Sequence, residues 1–269
     1  MDKANLIFKN LWEDYTQQNP TVKEVYDLFT KNEKEVINDH IALRTFDFDH
    51  INVDVLGNWF IQAGYECKEN YTFESKHLTA KHYEHKTDKD APRVFISQLI
   101  TKDFSPYLQE KAKEFADAVP SKLLENEKIL HSGSVLKKPS FEVYNKLREE
   151  SEYAAWVYVY GFRANHFTVS INHLENYNSI EKVNQLLKDN GFLMNEVGGE
   201  IKGSPEELLE QSSIKAGILK YEFAEGTYEI PSCFYEFARR YEDKEGNLLS
   251  GFIAKSADKI FESTDFYKK

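Results

Sequence analysis

The sequence predicts an α+β protein: two βαβββ modules forming a curved-sheet cleft, with added helices. Three observations point there. "HIALRTF" (40–46) and "HFTVSIN" (166–172) are both His-led alternating strands. Each is followed by an amphipathic helical stripe and then by Gly-aromatic. The interval from His40 to Gly64 is 24 residues, and from His166 to Gly191 it is 25. A unit repeated at nearly constant spacing fixes architecture, because each copy needs the other to complete its core. The expected organisation is N-terminal helices at 1–36, a first module at 37–100 and a helical insertion at 101–152. A second module at 153–242 and a C-terminal capping segment at 243–269 follow.

In chain order, "ANLIFKNLWEDY" places Leu6, Leu11 and Tyr15 near one helical face. "PTVKEVYDLF" opens with Thr21 and Glu24 at capping-box spacing. After the first strand, Ile51, Val55, Leu56, Trp59 and Phe60 make a helical stripe that ends at Gly64. "YECKENYTF", "HLTAKHYEH" and "RVFISQLI" read as strands. Ser105-Pro106 and Pro139-Ser140 mark helix starts within the charged insertion. Strand character is expected again across "AAWVYVYGFRANHFTVSIN", then a helix carrying Ile180, Val183, Leu186 and Leu187. Ser204-Pro205-Glu206-Glu207 predicts an extra helix, and "SIKAGILKYEF", "AEG", "TYEIPSCFYEFARRY" predict a hairpin. In "SGFIAKSADKIFEST" a stripe of Ile253, Ala257 and Ile260 predicts a segment that closes over the cleft.

The chain of 269 residues carries 19 Phe, 16 Tyr and 3 Trp, enough large apolar side chains for a real core. Its net charge of −11 is spread along the chain and repels phosphate backbones, which argues against nucleic acid as a partner. A small anionic substrate would need a local cation, and Arg44 is one candidate. Cys67 and Cys233 have no metal-type spacing and cannot staple so long a chain, so a reducing cytoplasm is expected. The N-terminus lacks the features of a signal peptide, and no apolar run approaches the ~20 residues of a membrane helix. Nothing in the sequence sets an oligomeric state.

No GxxxxGK, GxSxG, HExxH or strand-linked GxGxxG is present. "HSGSV" (131–135) reads as a polar turn, and His77, His82 and His85 as members of a solvated hairpin. His50, His131 and His173 fall at element ends. His40 and His166 differ, since they hold the same position in both repeats. A late carboxylate would complete a set that covers one face of an octahedral Fe(II) and leaves positions open for substrate and oxygen. Glu222, Glu229 and Glu236 are available. Glu236 stands out because it lies among Phe234, Tyr235 and Phe237, where an acid is costly unless paired or metal-bound. An ion pair with Arg239 or Arg240 is the competing explanation.

With "NDHIALRTF", "GFRANHFTVSIN", "CFYEFARRY" and "LSGFIAKSADKIFEST" in place, the chain resembles the 2-oxoadipate dioxygenase/decarboxylase (hydroxyglutarate synthase) family of the vicinal oxygen chelate superfamily. The resemblance implies Fe(II) ligands at His40, His166 and Glu236. It implies Arg44 as the arginine that binds the substrate's carboxylate, about 13 Å along the strand from His40. It further implies a small 2-oxo acid and molecular oxygen as partners. A non-redox metal enzyme of isomerase or glyoxalase type would use similar ligands, whereas a metal-free binding protein would need no histidine pair.

Overall fold

The computed structural model describes residues 2–253. Its strands are β1 (Asn38–Phe46), β2 (Tyr65–Phe73), β3 (Leu78–His85), β4 (Arg93–Leu99), β5 (Ala164–Ser170), β6 (Lys202–Ser204), β7 (Leu209–Ser213), β8 (Ile218–Phe223), β9 (Gly226–Pro231) and β10 (Phe234–Arg240). The helices are α1 (Lys3–Gln18), α2 (Pro20–Thr30), α3 (Val53–Ile61), α4 (Pro106–Asp117), α5 (Ser121–Leu124), α6 (Phe141–Glu150), α7 (Glu152–Tyr160) and α8 (Ile180–Asp189).

Eight strands form one curled sheet in the order β2-β3-β4-β1-β5-β10-β7-β6. In each half the first strand lies parallel to the last: β1 beside β4, and β5 beside β10. The halves join where β1 and β5 pair antiparallel, so the two expected sheets are continuous. The helix of each module ends before a left-handed glycine, Gly64 (φ +99°) and Gly191 (φ +84°), where a side chain would be strained. Between β7 and β10 the second half carries an insertion, the separate β8–β9 hairpin.

Alternation divides the sheet. The outer face packs under helices: the Trp12 ring lies edge-on to Phe167 at 5.0 Å, and Phe29 meets Phe237 at 5.7 Å. Each such aromatic buried contributes about 1.5–3 kcal/mol relative to exposure. The inner face carries His40, Ala42 and Arg44 with their cross-strand partners Arg93, Phe95 and Ser97.

Several expectations are corrected. "AAWVYVY" is not strand but the buried helix α7, capped by Ser151, whose hydroxyl accepts from the Ala154 amide, and stopped at Gly161 (φ +64°). A short apolar run buried on all sides has no period to separate helix from strand, and its polar punctuation decides. The segment expected as a helix from Ser204 forms a turn at 205–208 between β6 and β7. The Glu207 amide still donates to Ser204 Oγ, so the capping interaction forms without helix continuation. Thr21 lies inside α2, whose N-cap is Asn19 with Pro20 at the first turn, so no capping box forms. On α1 the buried stripe is Ala4, Ile7, Leu11 and Tyr15, so Leu11 and Tyr15 lie on the expected face while Leu6 is exposed. The closing "TYEIPSCFYEFARRY" divides at Ser232-Cys233 into β9 and β10. Ser105 and Ser140 do cap α4 and α6. The proposed C-terminal stripe through Ala257 and Ile260 lies outside the described residues.

Candidate metal centre

Register alone brings the site together. His40 on β1 and Glu236 on β10 both pair with Thr168 on β5, so the three form a row across the sheet's centre. His166 precedes Thr168 by two residues and therefore shares its face. All four side chains point to the inner side and are buried.

Glu236 Oε1 lies 3.5 Å from His40 Nε2, and Oε2 lies 3.3 Å from His166 Nε2. One ligand atom from each of His40, His166 and Glu236 falls within 4.8 Å of the other two. The imidazoles are edge-to-face at 5.7 Å.

Each ring is oriented by the residue before it. Asp39 Oδ1 is 2.7 Å from His40 Nδ1, and Asn165 Oδ1 is 3.1 Å from His166 Nδ1. Burial alone would raise Asp39, but the Arg240 guanidinium and the His40 hydrogen bond hold it well below the ordinary carboxylate range. It is therefore ionised and can only accept, so His40 carries its proton on Nδ1. Burial lowers the pKa of His40 against the opposing pull of Asp39, and lowers that of His166 further, with help from the charges of His40 and Arg44. Both rings are thus neutral, and both turn an Nε2 lone pair inward. The Thr168 hydroxyl is 3.0 Å from His40 Nε2.

Glu236 is fully buried, and desolvation pushes its pKa up to about 8. Gln211 Nε2 donates to Oε1 at 2.5 Å, whereas Oε2 has no hydrogen-bond partner. Two neutral imidazoles around an orphaned carboxylate oxygen make a donor set suited to a cation. The chemistry fits a divalent first-row metal. Ion uptake by this set must displace the Glu236 proton below pH 8. Affinity for a divalent ion is therefore expected to weaken as pH falls below about 8, by up to tenfold per unit, with one proton released. Calorimetric titration in buffers of different ionisation enthalpy measures that proton.

Arg44 lies on the same strand face, 3% exposed, with its guanidinium 5.0 Å from the Tyr153 ring centre and 5.3 Å from that of Trp156. Helix α7 thus walls one end of the inner face. Over the first module the cover is residues 249–252. The Phe252 ring stands edge-on to His40 at 4.8 Å and touches His82 and Phe95. Gly251 runs so close beneath that a Cβ there would fall 2.9 Å from Glu69 Oε2.

Arg240, one of the two arginines that competed with a metal as the explanation of Glu236, binds Asp39. Glu222 is exposed and pairs with Lys138, and Glu229 is exposed. His82 is not solvated; it is buried on the inner face, with Nδ1 2.8 Å from Tyr71 Oη. Asp39, Asn165 and Gln211 were missed as supporting residues. The matched dipeptides Asp39-His40 and Asn165-His166 were the readable signal for the first two. Gln211 is not legible from the sequence, because its segment reads as the continuation of a helix from Ser204 whereas it forms β7.

A family profile described as 2-oxoadipate dioxygenase/decarboxylase matches residues 7–246. The chain is 33% identical to the chloroplastic 2-oxoadipate dioxygenase/decarboxylase of Arabidopsis thaliana, over 93% of this chain and 74% of that protein. Among solved structures, the hydroxyglutarate synthase of Oryza sativa in complex with 2-oxoadipate superposes with a TM-score of 0.90 at 32% identity, covering 97% of this chain and 91% of the rice chain. A Shewanella frigidimarina protein, named provisionally as a hydrolase, superposes with a TM-score of 0.88 at 46% identity, covering 93% and 98%. The likeness runs through both modules, including every strand of the central row. The chain belongs to the 2-oxoadipate dioxygenase/decarboxylase family.

Proposed function

We propose that this chain is an Fe(II)-dependent dioxygenase that decarboxylates and hydroxylates a small 2-oxo acid, with 2-oxoadipate giving 2-hydroxyglutarate and carbon dioxide. The observation that carries the reading is the convergence of His40, His166 and Glu236, two lone pairs and one orphaned carboxylate oxygen, in a member of this family. The reaction balances without another reductant: carbon dioxide leaves with the oxygens of the substrate's own carboxylate, and one dioxygen supplies one atom to the carboxylate that forms at the former 2-oxo carbon and one to the new hydroxyl.

His40, His166 and Glu236 would hold the iron on one face. Fe(II) bound there supplies the electron chemistry that lets dioxygen react with a 2-oxo acid, which side chains alone cannot do. Asp39 and Asn165 fix the ring tautomers, and such orienting partners are worth 10- to 100-fold in affinity or activity. Gln211 holds one Glu236 oxygen and leaves the other for the ion. Arg44 would grip a substrate carboxylate, keeping a diacid on the inner face. Phe95 and Phe252 line the same space with apolar surface and exclude water from it. Glu236 neutralises part of the ion's charge, so an anionic substrate still has a net attraction to the centre.

No described helix is long and apolar enough to cross a membrane. Both cysteines are free, as a reducing compartment keeps them, the cytoplasm in our reading.

The test is an oxygen electrode with anaerobically Fe(II)-loaded protein and a series of 2-oxo acids. Dioxygen consumed, carbon dioxide released and 2-hydroxyglutarate formed are expected in equal amounts with 2-oxoadipate. Conversion without oxygen uptake would point to the isomerase or glyoxalase type instead.

A further inference from the structure

Arg240 stands four residues beyond Glu236 on β10, and its guanidinium is divided between two tasks. Nε and Nη2 donate to Asp39 Oδ2 and Oδ1 at 2.7 and 2.9 Å. Nη1 donates to the carbonyls of Leu249, Ser250 and Gly251 at 2.8, 3.3 and 2.8 Å. The first set holds the carboxylate that orients His40. The second holds the strap that carries Phe252 over the His40 ring. Arg240 Cζ lies 5.3 Å from the Phe252 ring centre, so the same group also supports the ring.

The strap is seated across both halves of the sheet. From the first module, Arg93 Nε donates to the Ser250 carbonyl at 2.9 Å, and Tyr71 Oη accepts from the Phe252 amide at 3.2 Å. Ser250 Oγ donates to Glu84 at 2.6 Å. Arg240 is the member of this set that hydrogen-bonds a partner of a proposed ligand, whereas Arg93 Nη1 comes only to ion-pair distance of Asp39 Oδ2, 3.7 Å.

We propose that Arg240 is a positioning residue that couples the seating of residues 249–252 to the orientation of the His40 imidazole. This rests on reading His40, His166 and Glu236 as metal ligands. A planar guanidinium can serve a carboxylate on one edge and carbonyls on another, because its donors are fixed in one plane. When the strap lifts, Nη1 loses its acceptors, the guanidinium is free to leave Asp39, and Asp39 no longer pins His40 Nδ1. The reverse follows by linkage. An ion that holds His40 Nε2 in place holds Asp39, then Arg240, then the strap. Strap seating and ligand geometry would thereby be linked through the hydrogen bonds of Arg240, a side chain that is not itself a ligand, with Arg93 beside it at ion-pair distance from Asp39.

Co(II) titrated into metal-free protein, followed by visible absorption, reports the ligand set without turnover. Hydrogen exchange of the peptide containing 249–252 reports the strap. In the unsubstituted protein Co(II) should slow strap exchange, by roughly 5- to 150-fold for a coupling of ordinary size. Arg240→Lys, which cannot reach both sets of acceptors, should weaken Co(II) binding roughly 10- to 100-fold and leave strap exchange insensitive to the ion. Asp39→Asn keeps the shape and should weaken Co(II) binding in the same range. Arg240→Lys that is merely less stable, with unchanged Co(II) affinity, overturns the proposal. So does a strap in the unsubstituted protein that ignores Co(II), a measurement that needs no variant. Failure of the unsubstituted protein to bind Co(II) sinks the metal reading and this coupling together. Binding with an unresponsive strap sinks the coupling alone.

Discussion

Replacing Glu236 with glutamine is expected to abolish metal binding and, at the same time, to stabilise the metal-free chain. The two effects have one cause. Glu236 is fully buried and its pKa is raised from 4.5 to about 8 by desolvation. A carboxyl whose folded pKa exceeds its unfolded value costs nothing below pH 4.5, where both states are protonated. The penalty grows as pH rises, because the unfolded chain ionises freely and the folded one does not. At pH 7 it amounts to about 3 kcal/mol. Glutamine has the same shape and carries no charge; with its carbonyl at the Oε1 position accepting from Gln211, its amide can donate to the His166 Nε2 that lies 3.3 Å from the present Oε2. The metal-free variant should therefore resist urea better than the parent at pH 7 and equally at pH 4. Added Fe(II) reverses the order, since an ion that binds only the folded state stabilises only the parent. Turnover should fall by more than 100-fold, beyond the loss caused by removing an orienting partner. His40→Ala and His166→Ala should lose the ion too, with no gain in stability. If Glu236→Gln kept one iron per chain and parental activity, the centre would lie elsewhere.

Such a gain in stability on losing function marks a residue kept for its chemistry. The same logic explains what could be read in the sequence. His40 and His166 were visible because repetition is global: two strand-helix-glycine units 24 and 25 residues long are hard to produce without a shared architecture. Glu236 was visible because an acid in a run of aromatics violates local patterning. Asp39, by contrast, looked like a polar residue at a strand entry, and its partner Arg240 lies 201 positions away. Contacts of that length follow from register, which the sequence does not display. Helix α7 was misread for a local reason. "YAAWVYVY" is buried on every side, so neither a period of 2 nor one of 3.6 appears, and its β-branched and aromatic residues favour strand. The turn at 205–208 was misread because a hydroxyl-carboxylate pair at capping spacing serves a tight turn as well as a helix. In the structure Leu208 adopts φ +63°, which ends any helical continuation.

Substituting Arg44 should remove activity and spare the metal. The guanidinium is buried between the Tyr153 and Trp156 rings, and burial lowers its pKa only to about 10, so it remains a cation at neutral pH. It shares the inner strand face with His40, and its charge reaches His166, where it helps to keep the imidazole neutral. A carboxylate bound between Arg44 and the centre would meet a planar fork already held by two aromatic faces, so little rotamer freedom is lost on binding. Lysine cannot reproduce this. Its ammonium offers no parallel pair of donors, and a lysine so deeply buried loses its proton far more readily. Arg44→Lys and Arg44→Ala are therefore both expected to lower kcat/KM for 2-oxoadipate. Loss of a charged hydrogen bond of ~1.5–3 kcal/mol corresponds to roughly ten- to more than a hundredfold. Iron content should stay near one per chain, because Arg44 donates to no metal. A 2-oxo mono-acid of equal length then tells which carboxylate is held. If Arg44 grips the distal carboxylate, the variants lose their preference for the diacid while the mono-acid reacts as before. If it grips the carboxylate beside the carbonyl, both substrates suffer alike. Variants that keep iron and turn over both acids like the parent would make Arg44 a packing residue of α7 and leave the choice of substrate to the far end of the cleft.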